Sequence, residues 1–498
     1  MSTRSDPEAD SVLTPKTDLD HTHLKGRMGV GELLAAVLAF SAPVAIVSGY
    51  IPVVIVYSGA GAPAVYVAAT ALLLLFAVGF TTMSRYLPNP GAFYAYITAG
   101  IGRVIGLGAA FLAVYGYALL GFCAFPFFGL STSTLVSDVL GGPSVAWYWY
   151  ALVAWAICGL LAILKVEVSA KILTVAMTLE VLIVLIFDGA VLIQNGPQGR
   201  SLEPFGWEAF SSGNVGIAVL FAVTCFLGFE ATAVYREEVK HPRKTIPRAT
   251  YLAVVLIGLF YAGSAWLIIT AFGIDNAPQV ATDDPTAMFA AAMTEYVGTV
   301  GVDIVAVLLV TSLFASALSV QNVLARYVYS LGVDGAFPRA FAKVNQAHSP
   351  HIAVLCVSAV WFALGAVFIA LGAEPGILYA QVAGVGGFVV LILMTLTSAA
   401  VVMFFRGAAH IKDSTIWHTL VAPSIATIGM VAVVWLAVSN FTTLIGGSMA
   451  LAIVLQILTW GVLLTGVVTA LLIRTRRPDV YRRIGRQGDR EWVKATFD

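Results

Sequence analysis

Twelve runs of roughly twenty or more mostly apolar residues limit the fold of this chain more than any other feature. They cover 32–57, 63–85, 104–137, 146–164, 170–193, 214–235, 248–273, 298–331, 352–372, 377–405, 416–438 and 448–473. A helix that crosses a bilayer needs about 20 such residues. Only 11% of the 498 residues are charged and 59% are hydrophobic, against about 25% charged in an ordinary soluble domain. No water-soluble core could hide so much apolar surface, so lipid must solvate most of it. Helices satisfy their own backbone groups in lipid, and the alternating pattern of a membrane barrel is absent. The expectation is an all-α integral membrane protein with 12 transmembrane helices. The runs 104–137 and 298–331 exceed one straight crossing and should tilt or project from the bilayer.

Charge placement supports that count. An even number of crossings puts both termini on one side. With the termini in the cytoplasm, 26 of the 27 Lys and Arg residues fall inside and only Arg200 falls outside. The inside groups include Arg85, Arg103, Lys165, Lys171, the cluster Arg236 to Arg248, Arg326, Arg339, Lys343, Arg406 and Lys412. This is the asymmetry of the positive-inside rule. One helix more or fewer in the middle would scatter these residues over both faces. The N-terminal tail, 1–31, and the basic C-terminal tail, 474–498, are then cytoplasmic, and the basic one can also touch anionic lipid. The start, Met1 to Leu24, is polar with no apolar stretch after a basic beginning. It reads as a disordered tail and not as a cleaved signal.

Several function classes are disfavoured. Cys123, Cys158, Cys225 and Cys356 lie in apolar runs without C-x-x-C spacing. They read as small buried residues, without disulfide or metal. There is no P-loop to drive transport by ATP and no metal-spaced His and Cys cluster, so no cofactor and no enzyme chemistry are expected. Positive charge sits in inside loops for topology, which argues against nucleic-acid binding.

Two apolar runs are interrupted. The first contains Ser41-Ala42-Pro43 and then Ser48-Gly49-Tyr50-Ile51-Pro52. Proline removes a backbone donor and clashes with the preceding turn. The sixth contains Phe226-Leu227-Gly228-Phe229-Glu230, a glycine beside a carboxylate at membrane depth. The two lie five helices apart. Paired broken helices in matching positions of two halves point to an inverted-repeat architecture, here 32–193 and 214–405. Backbone groups freed in lipid are tolerated where they line a cavity, and there they can hold a zwitterion. Close helix packing is the structural alternative for both glycines.

Gly228-Phe229-Glu230, followed by Glu237-Glu238, Pro242 and Ile246-Pro247-Arg248-Ala249, resembles the sixth-helix signature of the amino acid–polyamine–organocation permeases. Pro88-Asn89-Pro90-Gly91-Ala92-Phe93-Tyr94-Ala95-Tyr96 is similar to that family's loop after helix 2. Asn322, Arg326, Asp334-Gly335 and Pro338 resemble its segment leaving helix 8. The motifs stand in the family's order, and the resemblance covers about residues 25 to 475. It implies the leucine-transporter fold, with helices 1–5 and 6–10 as inverted repeats and two extra helices over 416–473. It implies alternating access around a substrate held near the bilayer midplane. The matching substrate shell is Val47, Ser48 and Gly49 in helix 1 with Cys225, Phe226, Leu227, Gly228 and Phe229 in helix 6. One departure is that many relatives carry a longer glycine run in helix 1, whereas this chain has Ser48-Gly49. Pro43 is placed to extend or shift the unwound stretch.

Ionisable groups inside a membrane are costly and mark function by default. Glu230 follows the helix 6 break, and the matching glutamate of the family links substrate occupancy to gating. Its structural alternative is to cap frayed N–H groups. Glu180 lies nine residues beyond Lys171, about 13 Å along a helix, too deep to snorkel. Desolvation disfavours the charged form of a carboxyl, so a group there can bind and release a proton. The histidines cannot serve. His241, His348, His351, His410 and His418 fall in loops or at helix ends, and His21 and His23 in the tail. Glu180 is therefore the candidate proton carrier, with a neutral carboxyl bonded to a neighbouring helix as the alternative. Asp188 lies two turns further out, toward the outer interface. Ser312 and Ser316, one turn apart on one face, could with helix 1 carbonyls form a sodium site in this fold. Proton coupling or exchange is favoured over sodium.

The expected function is secondary uptake or exchange of an amino acid or related amine across the cell membrane. Alternatives are a polyamine or monoamine transporter, a substrate-gated channel, and a membrane sensor without net transport. A channel would need a continuous polar path, and the broken helices offer few polar side chains. A sensor would carry a soluble signalling domain, for which the tails are short.

Overall fold

The computed structural model describes residues 28–87, 92–164, 166–346, 349–407 and 415–485. The expectations for 1–27, Pro88 to Gly91, Lys165, His348, His410, Lys412 and 486–498 fall outside these residues, as do the side chains of Lys171 and Glu237. The described chain is helical, and one isolated bridge, Met28 to Val239, is the only β pairing among the described residues.

In chain order the main helices are α1 (Val30–Ser41), α2 (Ile51–Ser58), α3 (Ala62–Tyr86), α4 (Ala92–Gly100), α5 (Arg103–Thr134), α6 (Trp147–Ile163), α7 (Val166–Gln194) and α8 (Val215–Thr224). There follow α9 (Pro242–Phe272), α10 (Ala277–Asp283), α11 (Met288–Tyr296), α12 (Thr299–Asp334), α13 (His351–Ala370), α14 (Pro375–Gly407), α15 (Ala422–Ser439), α16 (Met449–Arg476) and α17 (Pro478–Arg483). Among the described residues, ten stretches are long and apolar enough to cross a membrane. One of them, Val30–Tyr86, has 57 residues and is broken several times. At 1.5 Å per residue it is about 85 Å long, enough for two crossings. Trp147–Ile163 is a further, shorter apolar helix. The chain is thus a multi-pass helical membrane protein.

Helix length follows from the apolar runs, and helix ends follow from glycine and proline. α12 extends over 36 residues and stops where Gly335 takes φ 80°. α5 runs through Pro126 for 32 residues and then widens into one looser turn, Leu135–Val139. The core gathers around α1, which packs on α7, α9 and α12. Large apolar side chains such as Leu182, Leu185 and Ile186 of α7 remain exposed at the periphery, as expected of a surface made for lipid.

Three of the four cysteines are buried, and Cys356 is not. The expectation of four buried thiols is corrected at this position. Cys356 stands next to exposed Leu355 on the outer side of α13. A lipid-facing helix surface gives an apolar run the same composition as a buried one, so the sequence does not separate the two.

Candidate functional site

The break in the first helix falls at Ser41-Ala42-Pro43. Ala42 adopts φ 49° and ψ 69°, in the left-handed region. In a continuous helix the Val44 N–H would donate to the Phe40 carbonyl. Here each group has a new partner. The Phe40 carbonyl accepts from Ser316 Oγ at 3.0 Å, and the Val44 N–H points to Glu180 Oε2 at 3.4 Å. Ser312 Oγ donates to the same Glu180 oxygen at 2.6 Å. One helix turn away Ser319 Oγ donates to the Ala36 carbonyl at 2.9 Å. The hydroxyl face of α12 and the carboxylate of α7 therefore both close on the helix 1 break. Glu180 is 1% exposed, and its Oε1 has no partner among the described residues.

The break in the sixth helix is held from within. α8 ends at Thr224, and Gly228 takes φ 118°, a conformation that L side chains rarely adopt. A Cβ there would lie 2.6 Å from the Phe40 ring. This close approach brings the two breaks together, and Ser41 Oγ reaches the Leu227 carbonyl at 3.5 Å. The Gly228 N–H donates to Glu230 Oε2 at 2.8 Å, and Tyr117 of α5 donates to Glu230 Oε1 at 2.8 Å. Tyr117 in turn stacks on Tyr327 of α12 with centroids 5.3 Å apart. Glu230 caps the broken backbone and also ties it to two other helices.

Between the breaks lies a cavity of about 100 Å³. Its wall includes Ser41, Ala42, Ile46 and Tyr50 from the first helix region, and Phe221, Thr224, Cys225 and Leu227 from the sixth. Cys123, Ser316 and Tyr379 complete its polar fringe, and among the described residues no Asp, Glu, Lys or Arg lines it. Tyr379 of α14 stacks on Phe127 with centroids 4.4 Å apart.

The residues singled out in the sequence divide between the wall and its support. Cys225, Leu227 and Ser316 line the cavity. Val47, Phe226 and Phe229 are fully buried in packing outside its lining, with Phe226 against Tyr261 and Phe229 against Phe76. Ser48 Oγ donates to the Val44 carbonyl, and Gly49 sits in the widened turn Ile46–Tyr50. Gly228 is placed behind the cavity, on Phe40. Ser312 is at Glu180. Tyr50, Thr224, Cys123 and Tyr379 are lining residues that the sequence did not single out. Tyr50 belongs to the interrupted stretch Ser48-Gly49-Tyr50-Ile51-Pro52, which carries the signal of a break. Tyr379 sits in an uninterrupted apolar run and carries no such signal.

The motif residues beyond the cavity are brought together at the end of the bundle that holds Gly485. Arg326 of α12 forms an ion pair with Glu238 at 2.5 Å, both side chains being buried, and its guanidinium lies 4.5 Å from the centre of the Tyr235 ring. Val239 bridges to Met28, just before α1. Asp334 takes the Tyr94 hydroxyl and the Gly485 N–H. The first of these contacts bind α12 to the segment after α8 and that segment to the residues just before α1, and the Asp334 contacts add α4 and Gly485.

The family model for amino acid permeases matches residues 31–472. The chain belongs to the amino acid permease family. It is 22% identical to the branched-chain amino acid permease BcaP of Lactococcus lactis subsp. cremoris over 364 residues, 68% of this chain and 74% of that protein. It is 23% identical to the low-affinity putrescine importer PlaP of Escherichia coli over 288 residues, 56% of this chain and 61% of that protein. It is 24% identical to the L-asparagine permease of Salmonella typhimurium over 299 residues, 58% of each. This permease thus has transporter relatives whose names span neutral amino acids and a diamine.

Proposed function

We propose that this permease is a secondary transporter that takes up or exchanges an amino acid or related amine across the cell membrane by alternating access, coupled to protons through Glu180. It crosses the bilayer twelve times, with 32–193 and 214–405 as inverted repeats and both termini in the cytoplasm. The observation that carries the reading is the exchange of partners at the helix 1 break. Val44 and Phe40 give up their mutual bond and turn to Glu180 and Ser316 instead. A carboxylate so placed can sense whether the break is occupied and whether it is protonated. Neutral amino acids are preferred to diamines, because a dication would need a carboxylate in the wall and the lining holds none.

The direct test is uptake into proteoliposomes of radiolabelled leucine, asparagine, GABA and putrescine, with and without a pH gradient. Neutral substrates should accumulate when the outside is acidic. Strong putrescine uptake without competition from any neutral amino acid would reverse the preference.

Two further outcomes are expected. A bulky thiol reagent should slow uptake, with substrate protecting. Cys225→Ala combined with Cys123→Ala should remove the sensitivity, since both thiols line the cavity. Equal inhibition of the double variant would place the reactive thiol elsewhere. For topology, Arg490→Cys in a Cys356→Ser background should resist an impermeant reagent in intact cells. Labelling from outside would overturn the cytoplasmic placement of the C-terminus.

A further inference from the structure

The outer half of α7 holds a second buried carboxylate that takes no part in the cavity. Asp188 lies eight residues beyond Glu180 on the same helix, about 12 Å along its axis. It is on the side of the bundle occupied by α10 and α11, opposite the side of Gly485. Only 8% of Asp188 is exposed. Its Oδ2 accepts from Ser264 Oγ of α9 at 3.1 Å, and its Oδ1 has no partner among the described residues. One turn before Ser264, Tyr261 is buried, and its hydroxyl too has no partner among the described residues. Its ring stands 6.1 Å from Phe226 and 5.9 Å from Tyr66, and its helix α9 packs directly on α7. Glu180 Oε1, next to the helix 1 break, is likewise without a partner among the described residues.

A buried polar atom left unpaired is costly. Three in succession, descending from the outer half of α7 to the helix 1 break, are poor choices for packing alone. They suit a path on which protons and bridging waters pass.

The surroundings supply no counter-ion. α7 packs on α1, α6, α9, α11 and α12. No Lys, Arg or His occurs on α7 after Lys171, on α9 after Arg248, on α12 before Arg326, or anywhere on α1, α6 and α11. The other titratable groups toward the outer rim are Glu295 and Tyr296 of α11 and Asp303 of α12, with Glu295 and Asp303 exposed, and toward the opposite end lie Glu167 of α7, Tyr251 of α9, and Tyr327, Tyr329 and Asp334 of α12. α6 adds Tyr148, Tyr150 and Cys158, and α1 adds Glu32 at its first turn.

We propose that Asp188 is the outer proton-loading group of a relay that delivers a proton past Tyr261 to Glu180. The relay rests on the proton-coupled reading of Glu180. A hydronium ion outside gives its proton to the Asp188 carboxylate, forming an O–H bond and leaving water. Asp188 then passes a proton to the Tyr261 hydroxyl, directly or through water, as that hydroxyl releases its own toward Glu180 Oε1. One proton moves inward, Asp188 and Tyr261 return to their starting states, and no electrons are transferred.

The test uses the full chain in proteoliposomes loaded with a pH-sensitive dye and supplied with mixed leucine, asparagine, GABA and putrescine. In the wild type an acidic exterior should drive substrate accumulation and lumen acidification together. Asp188→Asn should slow both by about tenfold or more, while counterflow at equal pH stays at the wild-type rate. Asp188→Glu should restore the flux with a shifted dependence on external pH, and Tyr261→Phe should slow it without changing counterflow. Loss of counterflow in step with loss of acidification, or no rescue by glutamate, would make Asp188 a packing residue and overturn the relay. If Asp188→Asn keeps the wild-type proton flux while Glu180→Gln loses it, the relay fails and the Glu180 reading stands. If Glu180→Gln also keeps the flux, or the wild type never acidifies the lumen, both fail.

Discussion

Glu180→Gln should abolish pH-driven accumulation while leaving counterflow at equal pH largely intact. Glutamine keeps the size of the side chain and copies its protonated, neutral form. Its amide oxygen can still accept from Ser312 Oγ and the Val44 N–H, the two bonds that Glu180 Oε2 accepts now. The helix 1 break should therefore keep its shape, and substrate should still enter and leave. What is lost is the ability to exist in two charge states. A gradient of about one pH unit supplies about 1.36 kcal/mol per proton, which supports about tenfold accumulation when one proton accompanies one substrate. The variant should only equilibrate. The measurement is uptake against imposed pH gradients beside counterflow without one. Accumulation that still follows the gradient would reduce Glu180 to a structural carboxyl.

The helices were legible because lipid imposes a crude, repeated demand on composition, and length alone nearly satisfies it. Depth along a helix was legible too, so Glu180 could be singled out by counting from Lys171. Its partners were not. That Ser312 donates to Glu180 while Ser316 takes the Phe40 carbonyl depends on how α7 and α12 rotate against α1. Apolar runs without a polar face carry little rotational information. The helix 1 break shows a second limit. Ser48-Gly49 attracted attention as the flexible pair, yet the left-handed residue is Ala42. Pro43 lacks an N–H and cannot continue the hydrogen-bond ladder, so the turn before it yields, although alanine has no special tolerance for φ 49°. Gly228 was legible because there the flexible residue and the break coincide. Tyr379 was not, since an aromatic in an apolar run looks the same facing a cavity, a neighbouring helix or lipid.

Arg326→Leu should be among the most damaging single changes outside the cavity, and Glu238→Gln should partly reverse it. The pair is at 2.5 Å, with side chains 4% and 5% exposed. Glu238 Oε2 has no partner among the described residues, so Arg326 is what its buried charge relies on. Removing the cation strands that charge, which typically costs about 3–5 kcal/mol. The stacking of the guanidinium on Tyr235 goes with it. Glutamine at 238 removes the stranded charge, so the double variant should regain much of the thermal stability lost by the single one. It should not regain function in full. The ion pair joins the end of α12 to the segment that follows the sixth-helix break, and the next residue, Val239, bridges to Met28 at the start of the first helix. Without it the ends of the broken helices are held by fewer contacts, and the cavity should open more readily on that side. Thermal melts of the single and double variants give the coupling. Reagent access to Cys225 from the side of the bundle that holds Gly485 gives the opening. If the double variant melts like the single one, and access to Cys225 is unchanged in both, the pair neither stabilises the bundle nor closes it.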